Sequence, residues 1–254
     1  MDKRALDRIL TALAPGPGDT VVEIGPGRGA LTDRLAGKAG RVLAIEIDRD
    51  LVRQLRERYQ LQPVVEIVEG DALKVDWGSM AGGPYLLAGN LPYYITTPLI
   101  FRILATPRPS HAVLLVQKEV ADRLTADAGT REYGALTVNV AVAARVRTVA
   151  RVPAGAFQPR PAVDSAIVQL EPAKEPILSA GEEEPFRRFV IAAFGMRRKQ
   201  LLRVTRELWL PDAGRAAGVL RELGIEPAAR PEVLTAPDFV RLFRALARES
   251  LVRA

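Results

Sequence analysis

Apolar, β-branched runs recur through the first half of the chain as TVVEIG (20–25), RVLAIEID (41–48), VVEIVEGDA (64–72), YLLAGN (85–90) and AVLLVQ (112–117). Segments with helical periodicity lie between several of them, ALTDRLAGKA and RDLVRQLRERYQ among these. A strand open to water on one face alternates apolar and polar residues; these runs are nearly continuous, so both faces must be covered. Alternation with helices then predicts an α/β domain built on a parallel sheet. Two later runs, ARVRTVARV and SAIVQLEP, are expected to add strands at the far edge, giving about seven in all with the last one antiparallel.

After Leu170 the texture changes to EPAKEPILSAGEEEP, which is acidic, proline-containing and without periodicity, and reads as a linker. Beyond it Phe186, Phe189, Val190 and Phe194 fall at helical spacing, DFVRLFRALARESL repeats the pattern, and Gly224 and Pro227 punctuate the region. The expected organisation is an α/β domain over residues 1–172, a linker over 173–184 and a small all-α domain over 185–254. With 254 residues, 48% of them hydrophobic, both can bury cores. The amphipathic, charged start MDKRALDRIL is unlike a secretory signal, and no apolar stretch approaches the roughly 20 residues of a membrane span. The chain has no cysteine and one histidine, His111, which rules out disulfides and thiolate metal sites and leaves no expected metal centre. His111 is expected to be structural or merely exposed. A net charge of +6 points to a polyanionic partner such as nucleic acid.

The segment VVEIGPGRGALT reads as a strand, a glycine-rich turn and a helix start. Gly25 and Gly27 let the backbone turn tightly and approach a ligand, while Gly29 or Ala30 permits close helix packing. Gly25, Gly27 and Ala30 satisfy a dinucleotide pattern, and Glu46 stands at the end of the second strand, where an acid binds ribose hydroxyls. A nicotinamide enzyme and an S-adenosylmethionine enzyme share these features. Glu23, read as lying inside the turn, repels a pyrophosphate but suits a ligand with a cationic sulfonium and an amino group. Asp71, with Ala72 in EGDAL at the end of the third strand, is placed to accept from an adenine amino group; its alternative role is a helix N-cap.

The stretch GNLPYYITTP follows the fourth apolar run directly. A strand turning to solvent gains nothing from two tyrosines, so the stretch looks like a site. Here the chain resembles the S-adenosylmethionine-dependent rRNA adenine N6-dimethyltransferases, most closely the branch acting on small-subunit rRNA. EIGPGRGALT, EIDRDL, EGDAL, GNLPYYITTPLI, VQKEVADRL, YGALTV, AFQPRPAVDSAIV, FGMRRKQL and LTAPDFVRL occur in that family's order over nearly the whole chain.

The resemblance implies a Rossmann-like, seven-stranded methyltransferase domain followed by a helical RNA-binding domain. It implies a cofactor site from Glu23, Gly25, Gly27, Glu46, Asp71, Ala72 and Asn90, with S-adenosylmethionine as methyl donor. Adenine N6 is a poor nucleophile because its lone pair is delocalised into the ring. The Asn90 side-chain oxygen and Leu91 carbonyl are implied to hold its two N–H groups, Pro92 to stiffen the turn, and Tyr93 to stack on the extruded base. Tyr94 is expected to pack. Phe157 is either the aromatic on the far side of the target or a core residue. Arg197, Arg198 and Lys199 match a basic segment implied to contact phosphates.

Relatives carry a Gln-Asn/His-Phe-Leu motif ahead of the first helix, whereas this chain starts inside that helix; the expectation is a pocket lacking one wall and weaker cofactor binding. The implied activity is dimethylation of two adjacent adenosines near the 3′ end of small-subunit (16S) rRNA, within a pre-ribosomal subunit, by a cytoplasmic monomer. The alternatives are a large-subunit methyltransferase of the macrolide-resistance type, an RNA-binding assembly factor with weak catalysis, and, remotely, a nicotinamide oxidoreductase.

Overall fold

The computed structural model describes residues 2–105, 107–158 and 160–251, with the side chains of Tyr93, Ser250 and Leu251 outside that description. In chain order the elements of the first half are α1 (Lys3–Leu13), β1 (Thr20–Ile24), α2 (Thr32–Ala36), β2 (Arg41–Glu46), α3 (Arg49–Tyr59), β3 (Val65–Glu69), α4 (Trp77–Ala81), β4 (Tyr85–Asn90), α5 (Thr96–Ile103) and β5 (His111–Gln117). There follow α6 (Lys118–Leu124), α7 (Ala135–Ala141), β6 (Ala144–Val152), β7 (Ser165–Pro172), α8 (Glu183–Gly195), α9 (Leu201–Leu208), α10 (Ala213–Glu222) and α11 (Ala236–Leu251). Among the described residues the strands form one seven-stranded sheet in the order β3-β2-β1-β4-β5-β7-β6. The first five pair in parallel, and β7 enters antiparallel between β5 and β6. Every apolar run named above became a strand.

Continuous hydrophobicity follows from position. β1, β4 and β5 are interior strands, with Val21, Val22, Leu87, Ala88 and Leu114 fully covered. On one face α1 buries Ala5, Leu6, Ile9 and Leu13, a three- and four-residue spacing that gives it a single apolar stripe. The helix begins at Lys3, and extended Asp2 caps it by accepting from the Arg4 N–H, so Asp2 precedes the helix that was expected to include it. His111 Nε2 donates to the Leu13 carbonyl at the other end (2.9 Å), which makes this histidine structural.

The chain divides into two compact units, residues 1–122 with 144–173, and residues 123–143 with 174–254. The boundary therefore differs from the one expected: α7 and the loop before it belong to the helical unit although strands flank them in sequence. Tyr133, Val138 and Val142 join Phe186, Phe189, Val190 and Phe239 in its core. The Tyr133 hydroxyl donates to the Leu234 carbonyl (2.7 Å). The stretch expected to be a linker is also tied in, because Leu178 is buried in that core and Arg244 binds both Glu182 and the Ile177 carbonyl.

The glycine-rich turn after β1 is clamped from α3. The Tyr59 hydroxyl donates to Asp33 Oδ1 (2.7 Å) with the Gly29 carbonyl 3.1 Å away, and Arg58 donates to the Arg28 carbonyl (2.8 Å). Burial and the adjacent carboxylate raise the pKa of this phenol, so it keeps its proton. Gly29 has φ +83°, and a Cβ there would lie 2.5 Å from the pinned hydroxyl. Gly27, at φ +59°, has open space around it. Gly29→Ala is therefore expected to destabilise the protein by about 2–3 kcal/mol, and Gly27→Ala by about 1 kcal/mol, the left-handed backbone alone. Urea unfolding of the two variants checks the order.

Candidate functional site

Parallel strands release the loops that follow them on one edge of the sheet, and ligands of open α/β folds collect there. In this protein that edge carries the turn after β1, the end of β2, the turn after β3 and the end of β4. Register places them side by side, with Ile24 opposite both Ile45 and Gly89. A Cβ on Gly25 would stand 3.5 Å from the Asn90 carbonyl oxygen, so the glycine turn and the Asn-Leu-Pro-Tyr segment lie against each other.

Glu46 ends β2 and is 7% exposed. Its Oε2 accepts from the Gly27 N–H (3.1 Å) and its Oε1 from those of Ile47 (2.9 Å) and Asp48 (3.1 Å). A carboxylate offers about four acceptor sites, so this one holds the glycine turn and retains capacity for a ligand hydroxyl. Glu23 lies within β1 and not in the turn, a correction to the sequence expectation. It sits between Ala44 and Ala88 because strand pairing extends to Ile24. At 1% exposed its carboxylate accepts from the Thr32 hydroxyl (2.7 Å). Burial pushes its pKa up to about 7; the Thr32 bond opposes this, and the carboxylates of Asp33 and Glu46 add to it.

Asp71 follows β3, and its Oδ1 accepts from the Leu73 N–H (2.9 Å) while its carbonyl accepts from those of Lys74 and Val75. It builds a turn and does not cap a helix; the cap of α4 is Asp76. Ala72 is buried beside it at 8% exposed. Asn90 closes β4, paired with Leu115, with an exposed side chain. Leu91 is 1% exposed and donates its N–H to the Leu115 carbonyl (3.1 Å). Pro92, at φ −57°, accepts at its carbonyl from the Ile95 N–H and the Thr96 hydroxyl, both 3.1 Å. Residues 93–95 form a 3-10 turn. The stacking role expected of Tyr93 concerns a side chain outside the described residues.

Tyr94 is 80% exposed, which overturns the expectation that it packs: the turn ends at buried Thr96, and the ring before it is left outside. Phe157 is half-buried against the core of the first unit. Its segment is pinned where Asp164 Oδ1 accepts from the Ala154 N–H (2.9 Å) and the Ala156 carbonyl accepts from the Asp2 N–H (2.7 Å).

In the helical unit the three expected phosphate contacts separate. Arg197 donates to Glu232 (2.6 Å) and to the carbonyls of Arg131 and Thr130, holding the α7 loop, whereas Arg198 and Lys199 are exposed. Sequence reasoning missed Ile47, which is 61% exposed at the end of β2 beside Glu46. A bulky apolar residue directly after the strand-end acid was the available signal. It also missed Thr32 and Tyr59, whose partners lie 9 and 26 residues away and leave no local pattern.

The residues fit a nucleoside-bearing ligand. The backbone at Gly27 is open to close approach, Glu46 retains acceptor capacity, and Ile47 presents an apolar surface at the same edge. Among the described residues no cluster suits a metal ion, and no helix is long and apolar enough to cross a membrane.

Residues 1–248 match the family model described as ribosomal RNA adenine dimethylase. The chain is 42% identical over 250 residues to the ribosomal RNA small subunit methyltransferase A of Aromatoleum aromaticum, an alignment covering 98% of this chain and 91% of that one. A dimethyladenosine transferase from Plasmodium falciparum superposes with a TM-score of 0.85 at 28% identity, covering 98% of this chain and 97% of that one. The 23S rRNA methyltransferase ErmE superposes with a TM-score of 0.76 at 29% identity, covering 97% and 98% respectively. These findings set aside the nicotinamide alternative: the chain belongs to the ribosomal RNA adenine dimethylase family.

Proposed function

We infer that this protein dimethylates N6 of two adjacent adenosines near the 3′ end of small-subunit (16S) rRNA during ribosome maturation in the cytoplasm, using S-adenosylmethionine. The observation that carries the reading is exposed Asn90 at the end of β4, directly beside the glycine turn that Glu46 holds. The small-subunit branch is supported by 42% identity, over 98% of this chain, to an enzyme named ribosomal RNA small subunit methyltransferase A, and by a TM-score of 0.85 to a dimethyladenosine transferase against 0.76 to ErmE. A working monomer and a pre-ribosomal subunit as substrate complete the reading.

S-adenosylmethionine supplies an electrophilic methyl group on a cationic sulfur. Glu46 is assigned its ribose hydroxyls, Ile47 and Ala72 the faces of its adenine, Asp71 the adenine amino group, and Gly25 and Gly27 the close backbone approach. Glu23 lies too deep to reach far into the site, so it acts on a cationic ligand through its field. On the acceptor side, Asn90 Oδ1 and the Leu91 carbonyl receive the two N6–H groups, which turns the lone pair out of conjugation with the ring. Pro92 fixes the turn so that the acceptors need no rearrangement during reaction, and the substituted nitrogen loses its extra proton readily without a dedicated base. Tyr93 and Phe157 are assigned the two faces of the target adenine. Arg198 and Lys199 are assigned phosphates, while Arg197 is assigned to the fold.

Methyl transfer from labelled S-adenosylmethionine to small subunits lacking dimethyladenosine is expected to reach four methyls on two neighbouring adenosines. Asn90→Ala should lower kcat by about 100-fold or more with little change in the Tm of the protein. Tight subunit binding with no transfer would instead favour the assembly-factor reading. Replacing Arg198 and Lys199 together with Ala should reduce the salt slope of RNA binding by about 2, and Arg197→Ala should lower Tm while leaving that slope unchanged.

Glu23 adds a pH dependence. An unfolded chain sheds this proton near the ordinary 4.5, while the folded protein keeps it to about 7. Between those values the native state binds the extra proton, so stability falls as pH rises, by about 3 kcal/mol once the carboxylate is fully ionised. A cationic ligand favours the carboxylate, so the affinity for S-adenosylmethionine should rise through neutrality with release of a proton. Calorimetry at pH 6 and pH 8 is expected to show this in the wild type and a flat profile in Glu23→Gln; a pH-independent wild-type Kd rejects the role.

A further inference from the structure

Large apolar side chains left exposed in the first unit are, among the described residues, Ile47, Leu61, Tyr94 and Val163. Single exposed apolar residues scattered over a surface need no explanation. Three of these four are not scattered. Ile47 follows β2, Tyr94 follows β4, and Val163 precedes β7, whose Ser165 stands opposite Gln117 at the end of β5. All three belong to the edge that carries Asn90, and Tyr94 is the aromatic among them.

The backbone that carries Tyr94 is also held in place. Leu91 and Thr96, on either side of it, are each 1% exposed, and the Pro92 carbonyl accepts from both the Ile95 N–H and the Thr96 hydroxyl. A ring with four-fifths of its surface uncovered on a pinned turn is covered little by the described residues. That leaves its face open to a group from outside the chain.

We propose that Tyr94 is a second base-stacking subsite, taking the nucleobase next to the adenine being methylated. The proposal rests on the function inferred above and adds a subsite to it. An extruded target base occupies an enclosed pocket, whereas a ring 80% exposed lies at the rim, where it meets a base still in the RNA strand. Stacking on an aromatic face tolerates any base identity, which suits a site that must accept first one and then the other of two neighbouring adenosines as target. The net charge of +6 makes a polyanionic strand the fitting occupant, in preference to a ribosomal protein.

Steady-state methylation of small subunits lacking dimethyladenosine, by wild type, Tyr94→Phe and Tyr94→Ala, tests this. Tyr94→Ala is expected to raise KM for subunits about tenfold while leaving KM for S-adenosylmethionine and Tm unchanged, and Tyr94→Phe to stay within about twofold of wild type, because the stacking face remains. A photoreactive phenylalanine analogue at position 94 is expected to cross-link to a nucleotide adjacent to the modified pair. Normal wild-type transfer with Tyr94→Ala matching it, or a cross-link to protein or to distant RNA, would overturn the subsite alone. Absence of transfer by the wild type would overturn the reading of function on which it rests.

Discussion

The parallel pairing of β1 with β2 on one side and β4 on the other governs everything above it. Three strands running the same way in register must deliver their following loops to one edge. Residues as distant in sequence as Gly27, Glu46 and Asn90 thereby become neighbours without any bond between them being needed to bring them there. What the strands do not settle, single polar groups do. Glu46 fixes the height of the glycine turn through one oxygen and the exit of its own strand through the other. Tyr59 and Arg58 brace the far side of that turn.

The same packing carries a cost. A carboxylate at Glu23, buried one residue before the end of β1, opposes folding at neutral pH, and an alanine or valine there would pack without that penalty. Thr32 supplies a single hydrogen bond in partial compensation. In the function proposed above, that cost is offset by the charge Glu23 presents to the cationic methyl donor.

The sheet was readable in the sequence because a doubly covered strand has no polar alternation to confuse it, and each of TVVEI, RVLAIE and YLLAGN ends within a residue or two of where its run ends. The positions of Gly25, Gly27, Glu46 and Asn90 at strand ends were readable because each closes or directly follows an apolar run. Glu23 was misplaced by one element since a turn and the last residues of a strand look alike when both border glycine. Tyr94 was misjudged because an aromatic flanked by apolar residues resembles core; only the turn geometry leaves it outside. Arg197 illustrates a different limit. Three adjacent basic residues look equivalent in sequence, yet carbonyls more than 60 positions away claim one of them.

The helical unit is assembled from two stretches of chain separated by β6 and β7. During synthesis Tyr133, Val138 and Val142 leave the ribosome long before Phe186, Phe189 and Phe239, the partners that cover them. The α7 segment must therefore wait with its apolar face uncovered while β6 and β7 are synthesised. Completion of this unit is a late event that depends on the last helix, and a nascent chain halted before α11 presents a hydrophobic surface to chaperones or to other chains.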